Sequence, residues 1–218
     1  MPGTVAEDIE IIDAGHGGGT GTPAGGDDDD GGSSGPRRPV PRRAYFTALQ
    51  LGLAAIVMFF MALASSYIVR KGLGTDWQRT PMPTVVWFNT AILLFSSVTI
   101  ILARRKLESG AREAFRTWWS VTTGLGLLFL AGQIIAWRRL AAAGMLLSTN
   151  PSSSFFYLLT AAHGAHLAGG IFALFYVAFR EWKRSRISQA TAAELTSIYW
   201  HFMDGLWVFL LVLLTLGR

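Results

Sequence analysis

Four side chains in the C-terminal part of the chain are of types that bind metals or carry protons. His163 and His166 occur in the sequence HGAH, and His201 and Asp204 occur in YWHFMDGLW. Residues three apart share a face of a helix, so the two members of each pair can act together. Imidazole and carboxylate ligands are typical of a metal site, two histidines can be axial haem ligands, and the same groups can relay protons. A fourth interpretation is a hydrogen-bond network that locks two helices together, with Asp204 accepting from a histidine N–H, and spacing alone leaves all four open.

The segments that carry these residues have the length and composition of membrane spans. The chain is 51% hydrophobic and 15% charged, and its apolar segments cover residues 44–69, 84–103, 117–137, 155–179 and 193–216. Each is long enough to cross about 30 Å as a helix at 1.5 Å per residue. Backbone groups in lipid are satisfied only in helices or closed barrels, and these segments are about twice the length of barrel strands. The sequence therefore predicts an all-α integral membrane protein, a bundle of five transmembrane helices.

Two domains of opposite charge are predicted. Residues 1–40 form a tail rich in Gly and Asp, with eight acids and no Lys or Arg in its first 35 residues, whereas the rest of the chain has nineteen bases and six acids. Such a tail buries too little apolar surface to offset chain entropy, so we expect it to be disordered. Residues 41–218 form the membrane domain. The absence of cysteine excludes disulfides, iron–sulfur clusters and zinc–thiolate sites.

The distribution of Lys and Arg predicts the orientation of the five helices. If the N-terminus is cytoplasmic, thirteen basic residues lie in cytoplasmic segments and six in external ones. Positively charged loops stay inside, so the prediction is a cytoplasmic N-terminus and an external C-terminus. Nucleic-acid binding is excluded, because it needs a basic face on a soluble fold.

The fourth predicted helix also carries small residues at a spacing of four, namely Ala161, Ala165, Gly169 and Ala173. Small residues on one ridge let two membrane helices approach closely. We therefore interpret this ridge, which lies beside the two histidines, as a helix-packing surface.

Two long stretches resemble subunit III of haem–copper terminal oxidases, the cytochrome c and quinol oxidases. They are SSFFYLLTAAHGAHLAGGIFAL (residues 153–174) and YWHFMDGLWVFLL (residues 199–211), and MFFMALASSYIVRKG, FNTAILLFSSVTIILARR and GLLFLAGQIIAWRRL in the first three helices agree with them. The chain is similar to the short, five-helix members of this family. The family's motif positions are occupied by Gln133, Trp137, His163, His166, Trp200, His201 and Asp204.

The resemblance implies a non-redox accessory subunit of a prokaryotic plasma membrane complex that reduces oxygen and pumps protons. Haem and copper would be held by partner subunits, and no residue of this chain would be catalytic or bind a cofactor or metal. The chain would pack on catalytic subunit I, accompany subunit II, bind phospholipid and support proton uptake. An accessory subunit of a nitric oxide reductase is one alternative, and a membrane metal or haem protein that uses the His/Asp cluster directly is another.

Two positions depart from the family pattern. Many members have a glutamate just before the V/M-F-F run of the first helix, where this chain has Ile56, and many read Q-x-x-E-W in the third helix, where this chain has Ala136. Both lost groups are intramembrane acids that could carry protons. Their absence leaves Asp204 as the one acid well inside a predicted helix and favours a packing and lipid-holding role.

Overall fold

The computed structural model describes residues 41–73, 83–146, 150–179 and 188–216, and these ranges are all-helical. They form five helices: α1 (Arg42–Leu73), α2 (Val85–Glu108), α3 (Arg112–Ala142), α4 (Pro151–Ala178) and α5 (Gln189–Leu216). All five are long enough and apolar enough to cross a membrane. The predicted fold class, a five-helix integral membrane bundle, is confirmed. The predicted disordered tail, residues 1–40, lies outside the described residues.

The helices are longer than the apolar segments that predicted them. α2 continues through charged residues to Glu108, and α3 already begins at Arg112, where the predicted segments ended at residue 103 and began at 117. Long basic side chains at a helix end reach the aqueous interface, so the backbone can stay helical beyond the apolar stretch. α2 and α3 end instead near glycines in the left-handed region, Gly110 with φ 75° and Gly144 with φ 79°.

The start of α4 is fixed by a side-chain cap. Asn150 has an extended backbone conformation, and its Oδ1 accepts a hydrogen bond of 2.9 Å from the backbone N–H of Ser153. Pro151 occupies the first turn, where a missing N–H costs nothing. The cap places the first residue of α4 four positions before the predicted segment.

The packing separates one peripheral helix from four central ones. α2 and α3 form the most extensive contact, α4 packs on α3 and α5, and α5 packs on α2, whereas α1 lies against α4 and α5. Only Phe60, Ala64 and Tyr67 of α1 are buried. The core is rich in aromatic side chains, and Trp119, Trp200, Trp207 and Phe129 are almost fully buried. The family's polar motif residues therefore lie on helices that are held together by large aromatic rings.

Candidate functional site

Asp204, Ser97 and His201 form a short hydrogen-bonded chain between α2 and α5. The Ser97 hydroxyl donates to Asp204 Oδ2, and its oxygen lies 2.9 Å from His201 Nδ1. A serine hydroxyl has one hydrogen to donate, so towards His201 it acts as the acceptor and Nδ1 carries the hydrogen. Asp204 is buried and His201 is partly exposed. The serine therefore couples a buried carboxylate to an imidazole near the surface.

The hydrogen bonds through Ser97 correct one detail of the predicted network, the partner of Asp204. The histidine–aspartate pair of α5 is brought together, but through Ser97 rather than by a direct bond from a histidine N–H to Asp204. His201 and Asp204 share a face of α5, and both point towards α2. Their contact is therefore made through a side chain of α2 and not directly between them. Sequence reasoning missed Ser97. Its only signal is a pair of adjacent hydroxyl residues, Ser96 and Ser97, in the middle of an apolar helix.

His163 lies outside the hydrogen-bonded chain of Ser97, His201 and Asp204. It is fully buried, and its ring packs against Trp207 and Phe129 with centroid distances of 5.0 and 5.9 Å. Neither ring nitrogen has a hydrogen-bond partner among the described residues. The predicted network of four residues is therefore too large, because aromatic rings of α3 and α5 occupy the space around this imidazole.

His166 faces a different neighbour, α1. Its Nδ1 donates to the Ala162 carbonyl oxygen at 2.8 Å, and its ring lies against Phe60 with a centroid distance of 5.5 Å. The Tyr199 hydroxyl donates to the His166 carbonyl oxygen at 2.8 Å. His166 thus helps to join α4 to α1 and α5. Within the ranges that the structure describes, no group of three or more His, Asp or Glu side chains could hold a metal ion.

Trp200 joins the four central helices. Its Nε1 donates to Ser96 Oγ of α2 at 2.9 Å. A Cβ added at Gly126 of α3 would lie 2.7 Å from the indole, and one added at Gly170 of α4 would lie 3.3 Å from it. The ring therefore occupies a slot that exists because these two residues lack side chains. The sequence identified Trp200 as a motif residue, but nothing in it connected the two glycines to this ring.

The motif residues of α3 also face the interior. Trp137 Nε1 donates to Thr160 Oγ1 of α4 at 3.0 Å, and the Tyr157 hydroxyl donates to the Trp137 carbonyl oxygen at 3.2 Å. Gln133, one turn earlier, is buried, and neither of its amide atoms has a hydrogen-bond partner among the described residues. Trp137 therefore ties α3 to α4, whereas Gln133 adds no bond of this kind.

The two positions that depart from the family pattern are apolar contacts in this chain. Ile56 is partly buried and packs against the core, and Ala136 is fully buried in α3. A carboxylate at either position would need a polar partner inside the bundle. Apolar side chains remove that need.

The small-residue ridge of α4 requires a correction. Ala161, Ala165 and Gly169 are exposed and Ala173 is partly buried, so the ridge is not where the helices of this chain pack. The buried face is larger and includes Thr160, His163, Leu167, Gly170 and Leu174. This face is buried instead of the ridge because large side chains from α3 and α5 fit against it. Any contact of the ridge with a partner stays a prediction.

Comparison with known proteins agrees with this geometry. Residues 46–216, which cover all five helices except the first four residues of α1, match the model of the family described as cytochrome c oxidase subunit III. A probable cytochrome c oxidase subunit 3 of Nocardia farcinica is 34% identical over 164 residues, covering 72% of this chain and 79% of that protein. The cytochrome c oxidase subunit 3 of Corynebacterium diphtheriae is 34% identical over 170 residues, covering 73% and 82%. That of Synechocystis sp. is 28% identical over 172 residues, covering 76% and 72%. The matched region, which contains all five membrane helices almost completely, and the identity to these relatives make this chain a member of the cytochrome c oxidase subunit III family.

Proposed function

We propose that this chain is the accessory subunit III of a proton-pumping haem–copper oxidase that reduces oxygen, and that it contributes no redox centre. The observation that carries this proposal is the use made of the family's motif residues. Trp200, the Ser97–His201–Asp204 chain and the carbonyl group of His166, which accepts from Tyr199, join one helix to another instead of converging as ligands. Haem and copper would be held by subunits I and II, with subunit I as the packing partner.

Support of proton uptake would be indirect. Asp204 is the one carboxylate near the middle of a described helix, and Ile56 and Ala136 offer no acid where many relatives of the family have one. A relay through this chain would need further titratable groups within hydrogen-bond reach of Asp204. We infer that the subunit acts on proton uptake through its contact with subunit I.

Phospholipid is the proposed ligand of the bundle. A groove of about 620 Å³ lies between α3 and α4 at the end where α3 begins. Its walls are mostly apolar, with Trp119, Leu127 and Phe175 among them, and Arg116 and Ser120 also line it. An acyl chain fits apolar walls of this kind, and an arginine at the membrane boundary suits a phosphate headgroup.

The function is tested by purifying the affinity-tagged chain from its own membranes in mild detergent. We expect the catalytic subunit to co-purify and the visible spectrum of the complex to contain haem. The chain stripped from the complex should show no haem absorbance. Haem that remains with the isolated chain would contradict the accessory role.

Replacing Asp204 separates a structural role from a chemical one. Asp204→Asn keeps an oxygen that accepts from Ser97, so we expect normal assembly and oxygen consumption. Asp204→Leu leaves the Ser97 hydroxyl without its acceptor, at a cost of about 0.6–1.7 kcal/mol for a hydrogen bond inside a membrane. Thermal stability in detergent and oxygen consumption measure both effects. Normal assembly with abolished turnover in Asp204→Asn would show that the carboxylate itself takes part in the chemistry.

The proposed location is a prokaryotic plasma membrane, with the N-terminus cytoplasmic. Single cysteines at Ser109 and Ala143 test the orientation, since both residues are exposed, lie at opposite ends of α3 and have ordinary backbone angles. Their neighbours Gly110 and Gly144 are unsuitable because their positive φ strains any side chain. We expect an impermeant thiol reagent to label Ala143→Cys and not Ser109→Cys in spheroplasts. The native chain has no cysteine, so background from it is nil. The opposite labelling would reverse the topology.

A further inference from the structure

One stripe of α5 is left uncovered by the rest of the chain. It runs along Ile198, His201, Gly205, Val208 and Val212, each exposed or partly exposed. We call this stripe, with α1 and α2 on either side of it, the α5 groove. Most exposed side chains of the bundle are apolar, as lipid requires, but this stripe contains an imidazole at the level of the membrane interior.

The two sides of the α5 groove are fixed by separate contacts. On the α2 side, Trp200, Asp204 and Trp207 of α5 bond to Ser96, Ser97 and Thr90. On the α1 side, Arg42 pairs with Glu194 near one end of α5, and Lys71 Nζ lies 3.4 Å from the Leu216 carbonyl oxygen at the other. A cavity of about 280 Å³ lined by Arg42, Arg104 and Glu194 opens where the three helices meet at that first end. The polar contacts with α1 thus lie at the two ends of α5, and those with α2 lie along its middle.

His201 gives the groove a defined hydrogen-bonding character. Its Nδ1–H is directed to Ser97 Oγ, so the neutral ring carries a lone pair on Nε2. The side chain is partly exposed at the surface of the bundle. Within the described ranges Nε2 has no hydrogen-bond partner. In lipid an acceptor left without a donor is costly, and an acyl chain has no donor to offer.

Gly205, one turn after His201, leaves the backbone of α5 exposed in the groove. A Cβ built at Gly205 meets no atom of this chain within 4 Å, so the backbone is open to an approaching helix. Close approach at a small residue together with a hydrogen bond across the contact is how membrane helices associate without a hydrophobic driving force. Both elements are present here within one helical turn.

We propose that the α5 groove receives a transmembrane helix of the catalytic subunit, with its backbone near Gly205 and a side-chain N–H or O–H donor against His201 Nε2. The proposal rests on the proposed function for its partner and goes beyond it by assigning the docking surface and its polarity. The Ser97–His201–Asp204 chain then has a second role, because the serine orients the imidazole so that its acceptor faces the partner.

The test compares two glycine substitutions in the tagged subunit within the whole complex. Gly205→Leu places a branched side chain in the groove, whereas Gly52→Leu, the control, adds the same side chain to an exposed position on α1. A Cβ at either position meets no atom of the described residues within 4 Å, so both variants should reach the membrane at wild-type levels. We expect Gly205→Leu to lower the co-purified catalytic subunit at least tenfold and Gly52→Leu to leave it unchanged. Equal retention in both variants, or loss in both, would overturn the proposal.

A photoreactive aliphatic amino acid at Val208, an exposed position of the stripe that already carries a branched side chain, identifies what fills the groove without occupying the space above Gly205. A covalent adduct with the catalytic subunit supports the proposal. An adduct with lipid alone, or with a second copy of this chain, overturns it while leaving the proposed function intact if the catalytic subunit still co-purifies. Failure of the wild-type chain to co-purify with any oxidase subunit would count against the proposed function itself.

Discussion

Replacing Gly132 with alanine is expected to separate α2 from α3 and to remove the subunit from the assembled complex. A Cβ at this position would lie 2.8 Å from Asn89 Cγ and 2.9 Å from Nδ2, and closer still to Oδ1. Asn89 is buried, and its Nδ2 contacts the Phe129 carbonyl oxygen at 3.4 Å, so the amide has little room to move. Overpacking of this kind costs about 1–3 kcal/mol in well-packed interiors. Thermal unfolding in detergent and the amount of subunit in the purified complex measure the effect.

Two variants make the Gly132 result interpretable. Gly124→Ala is the matched control on the same helix, because its Cβ meets nothing within 4 Å, and it should leave stability unchanged or slightly higher. Asn89→Ala removes the amide that the new methyl group would strike, so combining it with Gly132→Ala should restore much of the lost stability. A double variant no more stable than Gly132→Ala alone would mean that the close approach of α2 and α3 lies elsewhere.

Replacing Trp200 with alanine should have the largest effect of any single side-chain truncation in the bundle. The indole is fully buried, fills the slot beside Gly126 and Gly170 and donates to Ser96. Truncating a buried tryptophan to alanine costs about 3–5 kcal/mol, because the neighbours cannot collapse into the space. The expected result is loss of the subunit from membranes at growth temperature, measured by immunoblotting and by the unfolding midpoint of what remains.

Conservative and control substitutions divide the Trp200 effect into its parts. Trp200→Phe keeps most of the ring and removes the bond to Ser96, so its cost should be about 0.6–1.7 kcal/mol. Trp87→Ala truncates a tryptophan of α2 that is 53% exposed and should leave the bundle stable. If Trp87→Ala were as damaging as Trp200→Ala, the loss could not be assigned to the slot between α3 and α4.

The five helices could be predicted because hydropathy over about twenty residues reports directly on the surrounding lipid. The ends were less accurate, since charged residues such as Arg104 and Arg112 extend a helix into the interface without adding hydropathy. The residues of the polar motif could be named only from the family resemblance. Their contacts could not be predicted, because Ser97 and Gly170 look like ordinary small residues until the helices are brought together.

The small-residue ridge shows why the rest could not be predicted from spacing. Ala161, Ala165 and Gly169 satisfy the pattern of a packing surface, yet they are exposed, and the helices meet on the face of Leu167 and Gly170. A period of four fits more than one face of a helix. Which face is buried depends on the shapes of side chains on other helices, and on Trp200 above all.

The peripheral position of α1 has a consequence for how the protein is made. α1 is the first membrane helix to be synthesised, yet its main neighbours, α4 and α5, are the last. At bacterial or eukaryotic rates of roughly 5–20 residues per second, the roughly 80 residues between Leu73 and Pro151 take about 4–16 seconds to translate. Throughout that interval α1 faces lipid or the insertion machinery with the contact surface of Phe60 and Tyr67 unfilled. The packing of α1, the first helix made, against α4 and α5, the last two, is therefore a late step in the assembly of this subunit.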